Sequence, residues 1–509
     1  MISRSGDGGL LHKLGANSAI YAATNLLQKG ASFLLLPLYT RYLDPSAFGV
    51  LAVVTSINGL LAITFTLSLT SAVTRFYFEH RDDSALMAEF WGSILMFIML
   101  LSLTLGGLLL AVGDMLLAPL AQGVAFWPFL ALGVLATLFQ PIFTTFLTLL
   151  QTRNEASSFA LVSLAHFALT TALTVALVVL LGWGVIGALT ATLIGAAVFF
   201  CVALWMLREH VRPCLKWRHL REALSYSLPQ LPHTVAGQLS AVTDRLVLNA
   251  RLGTSAAGLY SVGAMLAMAI EVAAQSVNRA YVPLGMEALK RRTPQDLAQL
   301  RGIGALVVAT FCLLGVTVAA FSSDLIALFA APAFAAAVAV VPILVFVGVA
   351  SAIYYLFVNV LFYDRAATKL IPLGTLTAAG FNVVLVMLLV PPFGLIGAAA
   401  ATLLAQCVAT LLTAVLGKRF DPVAWDYPRY AVAFVGSLAL ALWIGSREFQ
   451  NSAIALTVKL AAVGGAAAVL GTLFWRRPLI FGSAVVCLLR RRFAAAAALF
   501  TTNDAEVAT

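Results

Sequence analysis

About fourteen apolar stretches, each long enough to cross a hydrocarbon layer and each bounded by polar clusters, constrain this chain more than anything else in it. A helix needs about 20 mostly apolar residues to span roughly 30 Å of hydrocarbon. The stretches run approximately over 17–38, 48–72, 89–112, 124–149, 157–181, 184–207, 222–249, 256–282, 302–322, 333–361, 368–390, 394–416, 428–445 and 453–474. They are unbroken rather than alternating, and lipid-exposed backbone must satisfy its hydrogen bonds within its own segment, so they predict helices and not a barrel. Only 10% of residues are charged, against about 25% in a soluble domain. The predicted fold class is all-α, a polytopic membrane protein with about 14 transmembrane helices. The polar opening MISRSGDGGL precedes a first run without a small-residue cleavage site, so that helix is expected to remain. Five cysteines without a CxxC pair suggest neither a disulfide framework nor a metal site. No GxxxxGK[ST] loop is present, so neither ATP hydrolysis nor a cofactor is expected.

The formal charge of +10 is distributed one-sidedly between alternate loops. Segments on one side hold 24 of the 31 Lys and Arg, including Arg75, the group Arg208, Arg212, Lys216, Arg218 and Arg221, and the run Arg490–Arg492. The opposite side holds Arg41, Arg251, Arg447 and Lys459. Because cytoplasmic loops carry the excess of basic residues, both termini are expected in the cytoplasm. Anionic headgroups account for the charge, and no nucleic acid partner is expected.

Two halves of the chain resemble each other. Leu43-Asp-Pro-Ser-Ala-Phe-Gly49 matches Leu252-Gly-Thr-Ser-Ala-Ala-Gly258, and Gly184-Val-Ile-Gly-Ala matches Gly394-Leu-Ile-Gly-Ala, at offsets of 209 and 210. Six helices per repeat is an even number, so the halves run parallel, the layout of two lobes around a central site. The expected organisation is an N-terminal lobe over 1–210, a C-terminal lobe over 211–420, two additional helices over 421–475, and an interfacial segment with a tail over 476–509.

Ionisable groups inside a membrane helix cost about 2.5 to 3.5 kcal/mol at its centre, so their positions need a reason. Helix one carries Asn17, Tyr21, Asn25, Gln28 and Lys29 along one stripe. Helix seven carries Gln230, Thr234, Gln238, Arg245 and Asn249, and helix eight carries Glu271, Gln275, Asn278 and Arg279. Such stripes suit a shared, partly hydrated cavity, which Lys29, Arg245 and Arg279, with Arg75 at the inner end of helix two, would make cationic. The candidate binding residues are therefore Lys29, Arg75, Arg245, Arg279, Asn25, Gln28, Gln238, Gln275 and Asn278, with Asp244 and Glu271 as orienting or coupling acids. Structural alternatives stand beside this reading: Arg279 can pair with Glu271 or Asp244, and Lys29 can snorkel. Arg and Lys bind phosphate oxygens while Asn, Gln and Tyr bond hydroxyls, so the implied ligand combines phosphate and sugar.

These residues resemble the polysaccharide-export, Wzx-type oligosaccharide flippases, relatives of the multidrug and toxin extrusion transporters and the lipid II flippases. The resemblance rests on Asn17 to Phe33, on Leu36-Pro-Leu-Tyr-Thr-Arg-Tyr-Leu-Asp-Pro-Ser-Ala-Phe-Gly49, on Arg75-Phe-Tyr-Phe-Glu79, and on Asp244-Arg245 with Gly258-Leu-Tyr-Ser261. It implies two six-helix lobes, a cationic central cavity and an undecaprenyl-pyrophosphate-linked oligosaccharide moved across a bacterial inner membrane. A polysaccharide polymerase and export machinery are the implied partners. A drug antiporter of related fold would favour an acidic cavity, and lipid II is an alternative cargo. A membrane polymerase or ligase would need a long external loop, whereas every outer loop expected here is shorter than about 20 residues, so the chain is read as a carrier and not an enzyme.

Overall fold

The structure, a computed structural model, describes residues 35–80, 82–368, 370–447 and 452–474, together with 20, 21, 23, 24, 27, 28, 30 and 33. Among the described residues all regular structure is helical and no strand occurs. Asn17, Asn25, Lys29 and the segment over 476–509 lie outside them. The chain divides into two compact units, the first ending at Gly258 and the second beginning at Leu259.

The first unit contains α1 (Leu36–Tyr42), α2 (Pro45–Thr66), α3 (Leu69–His80), α4 (Ser84–Leu117), α5 (Ala131–Thr152), α6 (Ala156–Thr174), α7 (Gly184–Leu207), α8 (Trp217–Ser227) and α9 (Leu231–Leu252). Local chemistry sets several boundaries. The Asp44 carboxylate accepts the Ala47 N–H at 2.7 Å while Pro45 opens α2, at a position where the N–H it lacks would have found no partner within the helix. Asp83 caps α4 in the same way through Ala85 and Leu86. Phe76, Phe90, Ile94, Phe143, Phe146, Phe159 and Phe199 fill the centre of this unit. Outward, Leu161 and Leu180 are 71% and 77% exposed, a disposition that water penalises and lipid accepts.

The second unit takes most of α10 (Thr254–Arg291), then α11 (Pro294–Ala320), α12 (Ser322–Phe329), α13 (Val341–Tyr363), α14 (Ile371–Gly417), α15 (Tyr427–Gly445) and α16 (Ser452–Phe474). α13 is buried along nearly its whole length, against α11, α14 and α15. Glycines admit the close approaches: a Cβ at Gly315 would stand 3.1 Å from the Phe346 ring, and one at Gly304 would stand 2.4 Å from the Trp425 ring. Lys459 on α16 is buried, pairs with Asp324 of α12 and lies over the Phe321 ring.

Eleven described helices are long and apolar enough to cross a membrane. The difference from fourteen has three sources. The first run lies largely outside the described residues, α9 carries too many polar groups, and the runs 368–390 and 394–416 join in α14. At 1.5 Å per residue a straight α14 would be about 70 Å long, over twice a hydrocarbon core. Gly394, at φ 57° and ψ −131°, breaks it just after Pro391 and Pro392. Gly184, its counterpart 210 residues earlier, has φ 55°.

Three predicted runs are shorter or more broken than the sequence suggests. The run 48–72 splits where Leu67 and Ser68 take left-handed conformations, φ 44° and 57°. The run 222–249 passes from α8 to α9 through a 3₁₀ turn at Leu228-Pro-Gln230, because Pro229 has no N–H to donate to the carbonyl four residues back, although the backbone before it stays helical. The run 333–361 opens with a 3₁₀ stretch, Pro332–Ala339, and is α-helical only from Val341.

Candidate functional site

Within the first unit the polar residues of α9 face α2 across a seam that glycine makes possible. A Cβ at Gly59 would stand 2.2 Å from Gln238 Nε2, so the Gln238 amide lies directly against the α2 backbone. Farther along, the Ser68 hydroxyl donates to Thr234 Oγ1 at 3.5 Å. At the other end the first turns of α2 and α10 meet reciprocally. A Cβ on Gly49 would fall 1.8 Å from the Thr254 carbonyl oxygen, and one on Gly258 would fall 2.0 Å from that of Pro45. The Ser46 and Thr254 hydroxyls are 2.6 Å apart. Pro45 and Thr254, like Gly49 and Gly258, are separated by 209 residues, so the contact has the self-complementary form of a local two-fold.

Consecutive residues on a helix point about 100° apart, and Asp244 and Arg245 follow that rule. Asp244 is only 5% exposed, while Arg245 is half-buried and its Nη1 donates to the Ala241 carbonyl at 3.4 Å, one turn back. Asn249 donates to the Gln122 carbonyl at 2.7 Å. Arg75 is held between α3 and α8 by Glu79, at 2.8 Å, and by the Tyr226 ring, whose centroid is 5.6 Å from the guanidinium carbon. Among the described residues that ion pair engages one of its five N–H donors. Gln28 donates to the Ser163 carbonyl at 2.9 Å, so its amide ties to α6.

In the second unit α10 and α13 share a second polar seam. Glu271 accepts from Gln275 Nε2 at 3.1 Å and from the Tyr355 hydroxyl at 3.0 Å. Asn359 Nδ2 donates both to Asn278 Oδ1 and to the Tyr355 carbonyl, each at 2.7 Å. Beside them Asn278, Tyr281 and Tyr355 border a cavity of about 10 Å³, about the room one water needs. Glu271, Gln275 and Asn278 are thus brought onto one seam, and Glu271 is bound by an amide and a phenol instead of by Arg279, which is exposed. Tyr355 and Asn359 are absent from the sequence-based set, although two polar residues one turn apart in the apolar run Val341–Tyr363 are a visible signal. His166, by contrast, packs between the rings of Phe143 and Phe199, an interior role.

The arrangement thus combines arginines at helix surfaces with half-buried amides and hydroxyls on otherwise apolar helices. Residues 14–288 match the family model described as polysaccharide biosynthesis protein, more than half of the chain. The chain belongs to that family. This member of the polysaccharide biosynthesis family is 26% identical to a protein of the Lsg locus of Haemophilus influenzae over 289 residues, covering 55% of this chain and 68% of the relative. Its fold is similar to that of the lipid II flippase MurJ in an inward closed conformation, with a TM-score of 0.69, 14% identity, and coverage of 91% of this chain and 99% of MurJ. A multidrug resistance MATE transporter in an inward-facing conformation follows at a TM-score of 0.58 and 18% identity, with coverage of 77% and 94%. The family member is therefore a multi-pass membrane protein with the fold of flippases and transporters.

Proposed function

We propose that this protein translocates a lipid-linked oligosaccharide of the undecaprenyl-pyrophosphate type across the bacterial inner membrane by alternating access, acting as a carrier and not as an enzyme. The observation that carries the reading is the polar residues set on apolar helices in a member of the polysaccharide biosynthesis family: Arg245 shares α9 with Gln238, and Arg279 shares α10 with Gln275 and Asn278. Lys29, Arg75, Arg245 and Arg279 bind the pyrophosphate as forked or point-charge donors, and Asn25, Gln28, Gln238, Gln275 and Asn278 bond sugar hydroxyls. Asp244 orients Arg245, and Glu271, held by Tyr355 and Gln275, is the acid through which transport couples to an ion or potential. Both termini are cytoplasmic, consistent with the basic bias of the loops. A polysaccharide polymerase takes up the delivered unit.

The lobes 1–210 and 211–420 are read as parallel repeats, with 421–475 and 476–509 appended. Two local similarities support the repeat: the reciprocal Gly49 and Gly258 contact, and the matching left-handed glycines Gly184 and Gly394. Complementation of a deletion strain tests the assignment. Arg245→Ala and Arg279→Ala each reduce surface polysaccharide at unchanged protein level while Arg251→Ala does not. Equal export by all three variants overturns it.

A further inference from the structure

Between α7 and α9 the chain could cross loosely, yet residues 212–216 are fastened along the first turns of α4. The Arg212 N–H donates to the Ala88 carbonyl at 3.0 Å, and the Cys214 thiol donates to the Glu89 carbonyl at 3.3 Å. The Lys216 N–H donates to the Ser93 hydroxyl at 3.2 Å, and its ammonium pairs with Glu89. Gly92 makes the approach possible, since a Cβ there would stand 1.8 Å from the Arg212 carbonyl oxygen. The strap delivers α8 in a fixed orientation. One side of α8, with Leu220, Ala223 and Ser227, is buried, and Ala223 joins the core built on Phe76, Phe90 and Leu207. α8 therefore lies at the level where the apolar helices α3, α4 and α7 end.

The other side of α8 and its lead-in is what remains uncovered. Leu215 and Trp217 are 54% and 69% exposed, and Arg212, Arg218 and Arg221 are exposed beside them. None of those three arginines forms an ion pair among the described residues. The nearby acids take other ion-pair partners or none: Glu89 pairs with Lys216 while remaining within electrostatic reach of Arg212, Glu209 pairs with Arg208, and Glu222 faces His80 at 3.6 Å. Exposed Trp and Leu interleaved with exposed arginines, at the depth where spanning helices end, have the chemistry of an interfacial anchor: the ring and the leucine enter the acyl boundary while the guanidinium groups meet phosphates.

We propose that this face of α8 and its strap binds anionic phospholipid headgroups of the leaflet it borders. Anionic lipid is favoured over a soluble acidic partner because the arginines alternate with large apolar side chains that a soluble acidic surface would leave wet. Prepayment of ordering by the strap makes the face a rigid receptor. The inference needs only a membrane and does not depend on the cargo.

The full-length protein is reconstituted into nanodiscs of phosphatidylcholine or of phosphatidylglycerol, each with a fraction of lipid brominated near the headgroup end of the acyl chain. The contribution of Trp217 among the eight tryptophans is the difference between wild type and Trp217→Phe. Brominated phosphatidylglycerol, titrated into phosphatidylcholine discs, is expected to quench Trp217 at a concentration at least tenfold lower than brominated phosphatidylcholine, since each arginine near a charged surface contributes on the order of fivefold. Joint substitution Arg212→Gln, Arg218→Gln and Arg221→Gln brings the two lipids within about twofold, while Arg251→Gln leaves the preference intact. Equal quenching by both lipids overturns the proposal, as does a preference that survives the triple substitution. Absence of quenching by either, with Trp217 open to aqueous iodide, also overturns it and leaves the face to a soluble partner. Surface polysaccharide left intact by deletion of the protein, with the lipid preference of Trp217 present, would count against the transport reading alone.

Discussion

The reciprocal contact at Gly49 and Gly258 permits a quantitative test. Gly49→Ala places a methyl 1.8 Å from the Thr254 carbonyl oxygen, and Gly258→Ala places one 2.0 Å from that of Pro45. Real Cβ atoms essentially never approach a heavy atom within 3.0 Å, so each substitution forces at least about 1 Å of separation. The obstructing atoms are backbone oxygens in the first turns of α10 and α2 and cannot rotate away, so the helices themselves must part. Overpacking of this kind costs about 1–3 kcal/mol, roughly 5- to 150-fold in a conformational equilibrium. The Ser46 and Thr254 hydroxyls, now 2.6 Å apart, would open beyond hydrogen-bond reach. A Ser46→Cys, Thr254→Cys pair should oxidise readily to a disulfide in the parent protein and several-fold more slowly with either alanine added. Because both glycines sit on one seam, parting the helices for one relieves the other, and the double alanine variant should cost little more than the worse single. Gly436→Ala, at a position with nothing within 4 Å, is the control and should leave the rate unchanged. Unchanged crosslinking in Gly49→Ala, or fully additive losses, would refute the reasoning.

Tyr355→Phe removes a hydrogen bond to a carboxylate, about 1.5–3 kcal/mol, so it and Glu271→Gln should each lower export about tenfold or more at constant protein level; wild-type export in both would remove this seam from the transport path. Asp324→Ala leaves the buried Lys459 ammonium without its carboxylate and should lower the unfolding midpoint in detergent more than Lys459→Met, which discards the charge but keeps packing over Phe321. The reverse order would show that the pair is not what holds α16 to α12. Burial holds the His219 imidazole below its usual value, Lys216 and Arg218 add to that, and Glu89 and Glu222 oppose it. The unfolded form then binds more protons, so stability of α8 is present above about pH 6.5 and lost as pH falls below it. Limited proteolysis near residues 208–216 should rise between about pH 7.5 and about pH 5.5 and be flattened by His219→Phe; a pH-independent rate in the parent protein would contradict this.

Length of apolar run made the spanning helices legible, because lipid leaves a chain few other solutions. The breaks were less legible. Pro229 signals the separation of α8 from α9, but the left-handed pair Leu67 and Ser68 contains no residue that demands it. Glycine motifs revealed Gly49 and Gly258 as counterparts, yet only coordinates show that each presses on the other's helix. At the candidate site the stripe of Glu271, Gln275 and Asn278 followed from helical spacing. Its partners Tyr355 and Asn359 sit more than 80 residues away, as the separations of 84 and 81 make plain, and no periodicity within one helix reaches that far. Lys459 and Asp324, 135 residues apart, were hidden for the same reason.

The central claim is tested most directly by deleting this protein in its host and fractionating lipid-linked oligosaccharide by membrane leaflet. The account predicts that a completed repeat unit accumulates facing the cytoplasm, that the wild-type chain clears it, and that the Arg245→Ala and Arg279→Ala variants do not. Intact surface polysaccharide with no accumulated intermediate would contradict the account.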